Sequence, residues 1–449
     1  MALLWGALGL TGAAAAAADE TPTPTPYTAT EPATTATAHE TPAEGALPDE
    51  REGAFALRAY WNRGINYRVS QPVRVGAGQT VFLDEEASLT GRIGLRFALD
   101  AAAYVEHGDV PPISDAIDVR RLLFSTTGEV RFIYPVYFRF DFGLVERDFY
   151  VDENYLMLKR LPYVGTLKVG QFDAPMSLDL LTGSTARPFM EAAAPVAALA
   201  AGLKAGIQFS NQALDQRLTW AFGYFLDGQT PDVGDASESF ARLAGRVTYL
   251  PFESEADDEG LIHTGLSASY VVSSHANVRY QARPESFLAP QLVDTGRLDA
   301  ESAFPFGIEG AYTRGPLLVQ AEYLASWVSE ESLENPVFRG GYALAAWMLT
   351  GEEHPYDRSK GVFSLVVPRE DFDPCTRHWG AWEIAGRYSG IDLSDGTVRG
   401  GRMRLVGLNV NWYWSRYVRW MFNYEHAFLD ESVSSGNVGV FQMRFQLVF

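Results

Sequence analysis

From about residue 88 onward, apolar and polar side chains alternate with period two. In the last segment Phe441, Met443, Phe445, Leu447 and Phe449 alternate with Gln442, Arg444 and Gln446. Just before it, Val418, Trp420, Phe422 and Tyr424 share one face, with Arg419, Asn423 and Glu425 on the other. Val406, Leu408, Val410, Trp412 and Trp414 alternate with Asn409 and Asn411. Far upstream, Phe132, Tyr134, Val136, Phe138, Phe140 and Phe142 alternate with Tyr137, Arg139 and Asp141. A strand sends successive side chains to opposite faces, so each run has one apolar and one polar face. A soluble sandwich gives the same alternation. Here, however, the runs are about 10–13 residues long, which suits a tilted bilayer crossing. Aromatics gather at strand ends, as at Trp412, Trp414, Tyr417 and Trp420, where an interfacial girdle sits. Unpaired edges cost several kcal/mol per group in hydrocarbon, so a spanning sheet must close. The pattern predicts an all-β fold, a transmembrane antiparallel β-barrel.

About sixteen strands are expected, and an even count leaves both barrel ends in the periplasm. They fall near 88–104, 117–131, 135–145, 151–160, 164–173, 203–211, 215–226 and 238–250. The second half runs 261–274, 304–314, 316–328, 338–350, 378–390, 402–414, 416–428 and 437–449. Parity then puts 105–116, 173–203, 227–237, 275–303, 329–337, 390–401 and 429–436 outside the cell. It also makes 351–377 an unusually long periplasmic connection.

The start of the chain reads differently. Residues 1–18, MALLWGALGLTGAAAAAA, carry a short apolar stretch and small residues, as a cleaved secretory signal does, though without a basic n-region. The apolar core is too short to span a bilayer as a helix. Residues 19–52 are rich in Thr, Pro, Ala and Glu. Such a segment has little to bury and is expected to be a semi-rigid disordered tether. Residues 53–87 are expected to form an N-terminal periplasmic segment ahead of the barrel at 88–449.

The charge balance narrows the function. The 449 residues carry 36 Lys+Arg and 56 Asp+Glu, a formal charge of −20. That argues against nucleic acid as a partner, because phosphate contacts need clustered cations. A single cysteine, Cys375, excludes an internal disulfide and a cysteine-built zinc site, and His378 beside it makes no metal site alone. No metal or other cofactor is implied. No G-x-S-x-G elbow, H-E-x-x-H or P-loop occurs, and the seven His are scattered, so an enzyme is not expected.

Several blocks resemble the phosphate-selective porin O and P family. VGQFDAPMSLDLLTGSTARPFMEAAAP (169–195) resembles its constriction-loop signature. GGYALAAWMLTGEEHPYD (340–357), GAWEIAGRYSGIDLSDG (380–396), LNVNWYWSRYVRWMFNYEH (408–426) and FQMRFQLVF (441–449) are similar to further blocks, in the family's order. The resemblance covers about 88–449 and implies a trimeric, sixteen-stranded outer-membrane porin passing phosphate, polyphosphate or other small anions. It also implies that the loop 173–203 folds inward as the eyelet.

Anion passage calls for cations spaced along the path, and the guanidinium fork suits phosphate. Candidates on the polar face or in the loop are Arg120, Arg121, Arg139, Arg187, Lys204, Arg387 and Arg444. Each could instead pair with a wall carboxylate such as Asp141, Glu322, Glu383 or Glu425. Asp173, Ser184, Thr185 and Glu191 are the other candidate loop residues. Two departures stand out. The family commonly has Lys where Asp173 stands, and Glu-Arg where this chain has Glu191-Ala192. The expected function is diffusion of small anions across the outer membrane. The alternatives are a general or non-phosphate porin, or a structural barrel with a largely closed pore.

Overall fold

The computed structural model describes residues 56–61, 65–70 and 88–449, apart from 132–133, 146–147, 228–239, 255–259 and 431–434. The expected signal peptide at 1–18 and tether at 19–52 lie outside the described residues. Within 53–87, strands β1 (Ala56–Trp61) and β2 (Ile65–Ser70) form a hairpin.

Sixteen further strands form one closed antiparallel sheet. The first nine are β3 (Ser88–Gly108), β4 (Ala116–Arg131), β5 (Pro135–Val145), β6 (Asp148–Leu161), β7 (Gly165–Asp173), β8 (Leu203–Ala213), β9 (Leu218–Asp227), β10 (Phe240–Ser254) and β11 (Gly260–Val278). A short pair, β12 (Gln281–Ala282) and β13 (Val293–Asp294), precedes β14 (Leu298–Arg314), β15 (Leu317–Ser329) and β16 (Val337–Met348). A second short pair, β17 (Tyr356–Asp357) and β18 (Val362–Phe363), precedes β19 (Ala381–Asp395), β20 (Val398–Tyr413), β21 (Val418–Asp430) and β22 (Gly436–Val448). Every strand expected from the alternation is present. The sheet closes where β22 pairs with β3, from Gly436↔Gly108 to Val448↔Arg96.

The end of the chain lies at the seam. The Phe449 N–H donates to the Leu95 carbonyl at 2.9 Å, and the Leu95 N–H donates back to Phe449 at 2.9 Å. Two residues further down β3, Ile93 pairs with Ile65, so β2 continues the line of β22 below the closed barrel.

Burial inverts the pattern of a soluble sheet. On β20, outward Leu408 is 61% exposed while inward Asn409 is 2% exposed. On β22, Phe441 is 54% exposed and Gln442 6%. An apolar exterior around a polar interior is what a bilayer demands of a barrel. Short turns at 162–164, 315–316 and 414–417 lie at the end shared with Phe449, the periplasmic end by strand parity.

Sixteen strands enclose a channel wide enough for water, so the lumen must be narrowed by something other than the wall. Three connections do this. The first is 174–202, with α1 (Leu178–Thr182) and α2 (Ala194–Leu199). The second is the segment around β12 and β13, where Tyr280, Ala282, Ala289 and Val293 are buried. The third is the long connection between β16 and β19. The sequence placed it simply in the periplasm, but it turns back inward. Its Val362 and Phe363 join Leu178 and Phe189 of the first connection in one apolar cluster.

Candidate functional site

The constriction loop is built from its backbone polar groups outward. A helix leaves its first N–H groups without intrahelical partners. In α1, the Leu178 and Asp179 N–H groups donate to the Glu322 carboxylate of β15, at 3.1 and 2.7 Å. The Leu180 N–H donates to Ser177 Oγ at 3.2 Å. Asp179 in turn accepts from the Ala193 N–H at 3.0 Å, just ahead of α2. Glu285, from the second inward segment, accepts from the Ala194 N–H at 2.8 Å. Pro195 lies in the first turn of α2, where its missing N–H costs nothing. A Cβ at Gly340 of β16 would sit 2.6 Å from Pro195 Cβ, so glycine there lets the helix lie on the wall.

The last four strands hold the loop's carbonyls. Asn409 and Asn411 Nδ2 both donate to the Pro188 carbonyl, at 2.6 and 2.8 Å. Arg419 Nη1 donates to the Arg187 carbonyl at 3.0 Å. Arg387 Nη1 donates to the Glu191 carbonyl at 3.0 Å, while the same guanidinium pairs with Glu285 and with Glu425. Gly407 makes room for that pairing, since a Cβ there would lie 2.1 Å from Glu425 Oε2. Arg444 donates to the Met190 carbonyl at 2.6 Å and pairs with Asp100 and Glu191, at 2.6 and 2.7 Å. Glu191 is also held by Arg120 at 3.1 Å. Burial opposes its charge, but Arg120 and Arg444 outweigh burial and hold the Glu191 carboxyl well below the usual carboxylate range.

The third inward segment has its own anchors. Arg246 of β10 donates to the Lys360 and Gly361 carbonyls at 3.2 and 2.8 Å and pairs with Glu309 at 2.6 Å. His263 bridges Tyr356 Oη at 2.6 Å and Glu309 at 2.9 Å. Burial pushes the His354 imidazole below its ordinary pKa, against the pull of Glu383 3.4 Å away.

With the loop fastened to β15 and β19–β22, the facing wall on β3–β8 stays more accessible. Between the loop and this wall lies a narrow gap, a cavity of about 20 Å³. It is lined by Arg96, Arg120, Arg121 and Arg444, with Ser184 and Thr185 from the loop, and no carboxylate borders it. Arg121 Nη1 donates to Ser184 Oγ at 3.2 Å and has no ion pair among the described residues. Arg120 and Arg121 both face inward because a bulge opposite Ala98–Leu99 breaks the alternation. Below the gap, Arg96 and Arg139 share Asp141, at 3.1 and 2.7 Å, and Arg139 also pairs with Glu153 at 2.5 Å.

The candidate residues therefore separate. Arg120, Arg121, Ser184 and Thr185 meet at the gap, and Glu191 lies directly behind it on Arg120 and Arg444. Arg139 sits lower on the same wall. Arg187 is buried within the loop, with its nearest carboxylate, Asp179, at 3.9 Å. Lys204 lies opposite Phe172 where the chain re-enters the wall, and Asp173 ends β7 opposite Leu203. Arg387 and Arg444 are loop anchors. Sequence reasoning did not single out Arg96, Arg419 or Lys168. Lys168 lies 4.6 Å over the rings of both Tyr155 and Phe172 and has no ion pair among the described residues. Its face of the run also carries Val164 and Phe172, so the alternation gave no clear signal for it.

A closed sixteen-stranded sheet, apolar outside and narrowed by an inward loop, defines an outer-membrane barrel of the porin class. The comparisons with known proteins agree. The family model "Phosphate-selective porin O and P" matches residues 92–449, and the chain belongs to that family. It is similar to Porin O of Pseudomonas aeruginosa, 32% identical over 158 residues, 32% of this chain and 35% of that protein. It is also similar to an uncharacterized protein of Caulobacter vibrioides, 28% identical over 270 residues, 57% of this chain and 52% of that one. The chain thus matches about half the length of the second relative and about a third of the first. Among solved structures, in-vitro folded OmpT of Vibrio cholerae in its trimer form gives a TM-score of 0.51 at 12% identity. It covers 80% of this chain and 99% of that one. OmpT expressed in the outer membrane gives 0.50 at 13% identity, covering 82% and 99%. At that identity the likeness is one of fold.

Proposed function

We propose that the barrel is a diffusion pore for small anions and that the gap between Ser184, Thr185 and Arg121 sets its preference. The observation that carries this is the gap lining: four guanidiniums, two hydroxyls and no carboxylate. Guanidinium forks and hydroxyls are the donors that phosphate oxygens accept from. Three carboxylates stand behind the gap, Asp100, Asp141 and Glu191, which leaves the local sum of four cations and three anions at +1. That is a weak bias, matched to an ion that must leave as readily as it enters. Arg139 and Lys168 continue the cationic path toward the periplasm. The family description supports phosphate as the solute class. The trimer form of the OmpT neighbour supports a homotrimer. The chain acts as a channel rather than an enzyme.

A second reading has its own observation. A cavity of about 20 Å³ holds about one water, so the gap as it stands is nearly shut. A barrel closed in this way would be structural, and single-channel recording in planar bilayers separates the two. A steady open current supports the pore, and silence supports the closed barrel.

Reversal potential under a salt gradient tests the filter. At an effective dielectric of about 20, two charges about 4 Å apart interact by roughly 4 kcal/mol. Water in the gap and the carboxylates behind it offset most of that, so Arg121→Gln should lower the anion-to-cation permeability ratio several-fold, and Ser184→Ala should lower it less. An unchanged ratio in Arg121→Gln would place the filter elsewhere.

A further inference from the structure

The outer surface of the wall carries a feature that transport does not use. Across β3, β22, β21, β20, β19 and β16, small residues leave a shallow apolar groove of about 880 Å³ on the lipid-facing side. Ala101, Ala103, Ala345 and Gly386 form its floor, and Leu408 and Phe441 stand along it.

Directly above the groove, toward the outer end, the pairing register lines up a row of charge. Arg339 pairs with Asp392, Asp392 with Arg402, and Arg402 with Asp430. Arg404 lies one outward-facing step lower on β20, 2.6 Å from Asp430, and Arg402 lies 3.0 Å from Asp392. Arg339 is exposed and has no ion pair among the described residues. Three guanidiniums thus face two carboxylates.

The heights fit a bilayer, with the two rows at its opposite interfaces. At the other end of β20, Trp412 lies between Trp382 and Trp420 in the pairing register and stacks on Trp382 at 4.9 Å. Ten residues separate Trp412 from Arg402, about 33 Å along a strand at about 3.3 Å per residue. A tilt of about 40° reduces that to about 25 Å along the membrane normal, the height of a barrel's apolar band. The Arg row therefore lies at the outer interface, and Arg404 sits four residues, about 13 Å, above Leu408 in the groove.

We propose that this face binds a phosphate-bearing, multiply acylated lipid of the outer leaflet. Its phosphates would meet Arg339, Arg402 and Arg404, and its acyl chains would fill the groove from Leu408 downward. Charge complementarity selects this occupant over a second copy of the chain, because a charged row at headgroup level above bare hydrocarbon matches an amphiphile. Arginine suits the phosphates through its paired donors.

The test is native mass spectrometry of the intact delipidated protein in detergent. The probes are bisphosphorylated hexa-acyl lipid A and the same lipid dephosphorylated. The phosphorylated lipid should bind at least tenfold tighter. The combined variant Arg339→Gln, Arg402→Gln, Arg404→Gln should lose that preference. Gly386→Leu fills the floor, where a new Cβ meets nothing nearer than 3.9 Å, and should weaken both lipids. Heat-modifiable mobility confirms that each variant is folded. If the triple variant misfolds, the wild-type preference and Gly386→Leu still decide. Equal affinity of the wild type for both lipids would overturn the proposal, as would unchanged binding in Gly386→Leu. So would an oligomer that Gly386→Leu dissolves, since a second copy would then occupy the face.

Discussion

Arg444 and Arg121 both face the lumen, from the two strands that flank β3, yet they do opposite work. Arg444 is 2% exposed, with two carboxylates and a loop carbonyl around one guanidinium. Arg121 is half-buried and holds only a loop hydroxyl. The same contrast runs around the barrel. On β14–β22 the inward polar groups are largely sealed under folded-in segments and consumed in fastening them, with Arg444 at the edge also bordering the gap. On β3–β8 Arg96, Arg121 and Arg139 keep part of their surface toward the remaining space. What separates a clamp from a filter is therefore not residue type or wall position alone. It is whether a loop backbone covers the side chain.

This contrast can be broken most forcefully on the clamp side. Arg444→Ala removes one partner from a buried pair and leaves Asp100 without its partner, a change that costs about 3–5 kcal/mol. We expect a clear drop in the temperature at which the heat-modifiable barrel unfolds, together with a larger and noisier conductance as the loop comes loose. Arg121→Gln should change stability by no more than about 0.5 kcal/mol and so leave that temperature close to wild type, as changes away from buried networks do.

Glu191 gives the next largest effect, and its sign follows from its lowered pKa. In the unfolded chain the carboxyl titrates in the ordinary range, near about 4.3. In the folded loop Arg120 and Arg444 keep it charged to lower pH, after outweighing burial. Its stabilisation is thus fully present above the ordinary carboxylate range and is lost as pH falls through the lowered folded value. The part of the conductance that depends on Glu191, read as the difference between wild type and Glu191→Gln, should hold steady from neutral pH to about pH 5 and fade only in stronger acid. Glu191→Gln should shift the neutral-pH conductance toward that acid behaviour and flatten the pH response. A wild-type transition near neutrality that Glu191→Gln abolishes would contradict the pairing.

The smallest expected effect is at the mouth of the loop. Asp173→Lys places a cation at the end of β7, away from the gap lining. The anion preference should rise modestly, by less than Arg121→Gln lowers it, in the same reversal-potential measurement. A larger change than that of Arg121→Gln would move the filter from the gap to the loop's entry.

The fold was legible because alternation with period two is written into every strand, and a bilayer requires the sheet to close. The bulge that turns both Arg120 and Arg121 inward was not legible, since it depends on how β3 and β4 pair. Nor was the inward course of 349–380, which is fixed by Arg246 and His263 from distant strands. For the site, the cations could be enumerated but not sorted. Arg387 and Arg120 look alike in sequence, and only the position of the loop backbone makes one an anchor and the other part of the gap. Arg419 lies in a run whose polar face was evident, yet its partner, the Arg187 carbonyl, is 232 residues away in the chain.

The claim that ions pass along β3–β8 and not along β14–β22 can be tested by cysteine accessibility under voltage. In a Cys375→Ser background, which removes the exposed native thiol, Thr127→Cys faces the open side of the lumen and Ser326→Cys the sealed side. Each is exposed to a small negatively charged methanethiosulfonate while single-channel current is recorded. Thr127→Cys should react and lose current within seconds to minutes, and Ser326→Cys should keep its current unchanged. Rapid block in Ser326→Cys with none in Thr127→Cys would place the passage on the opposite wall and contradict the filter assigned to Arg121.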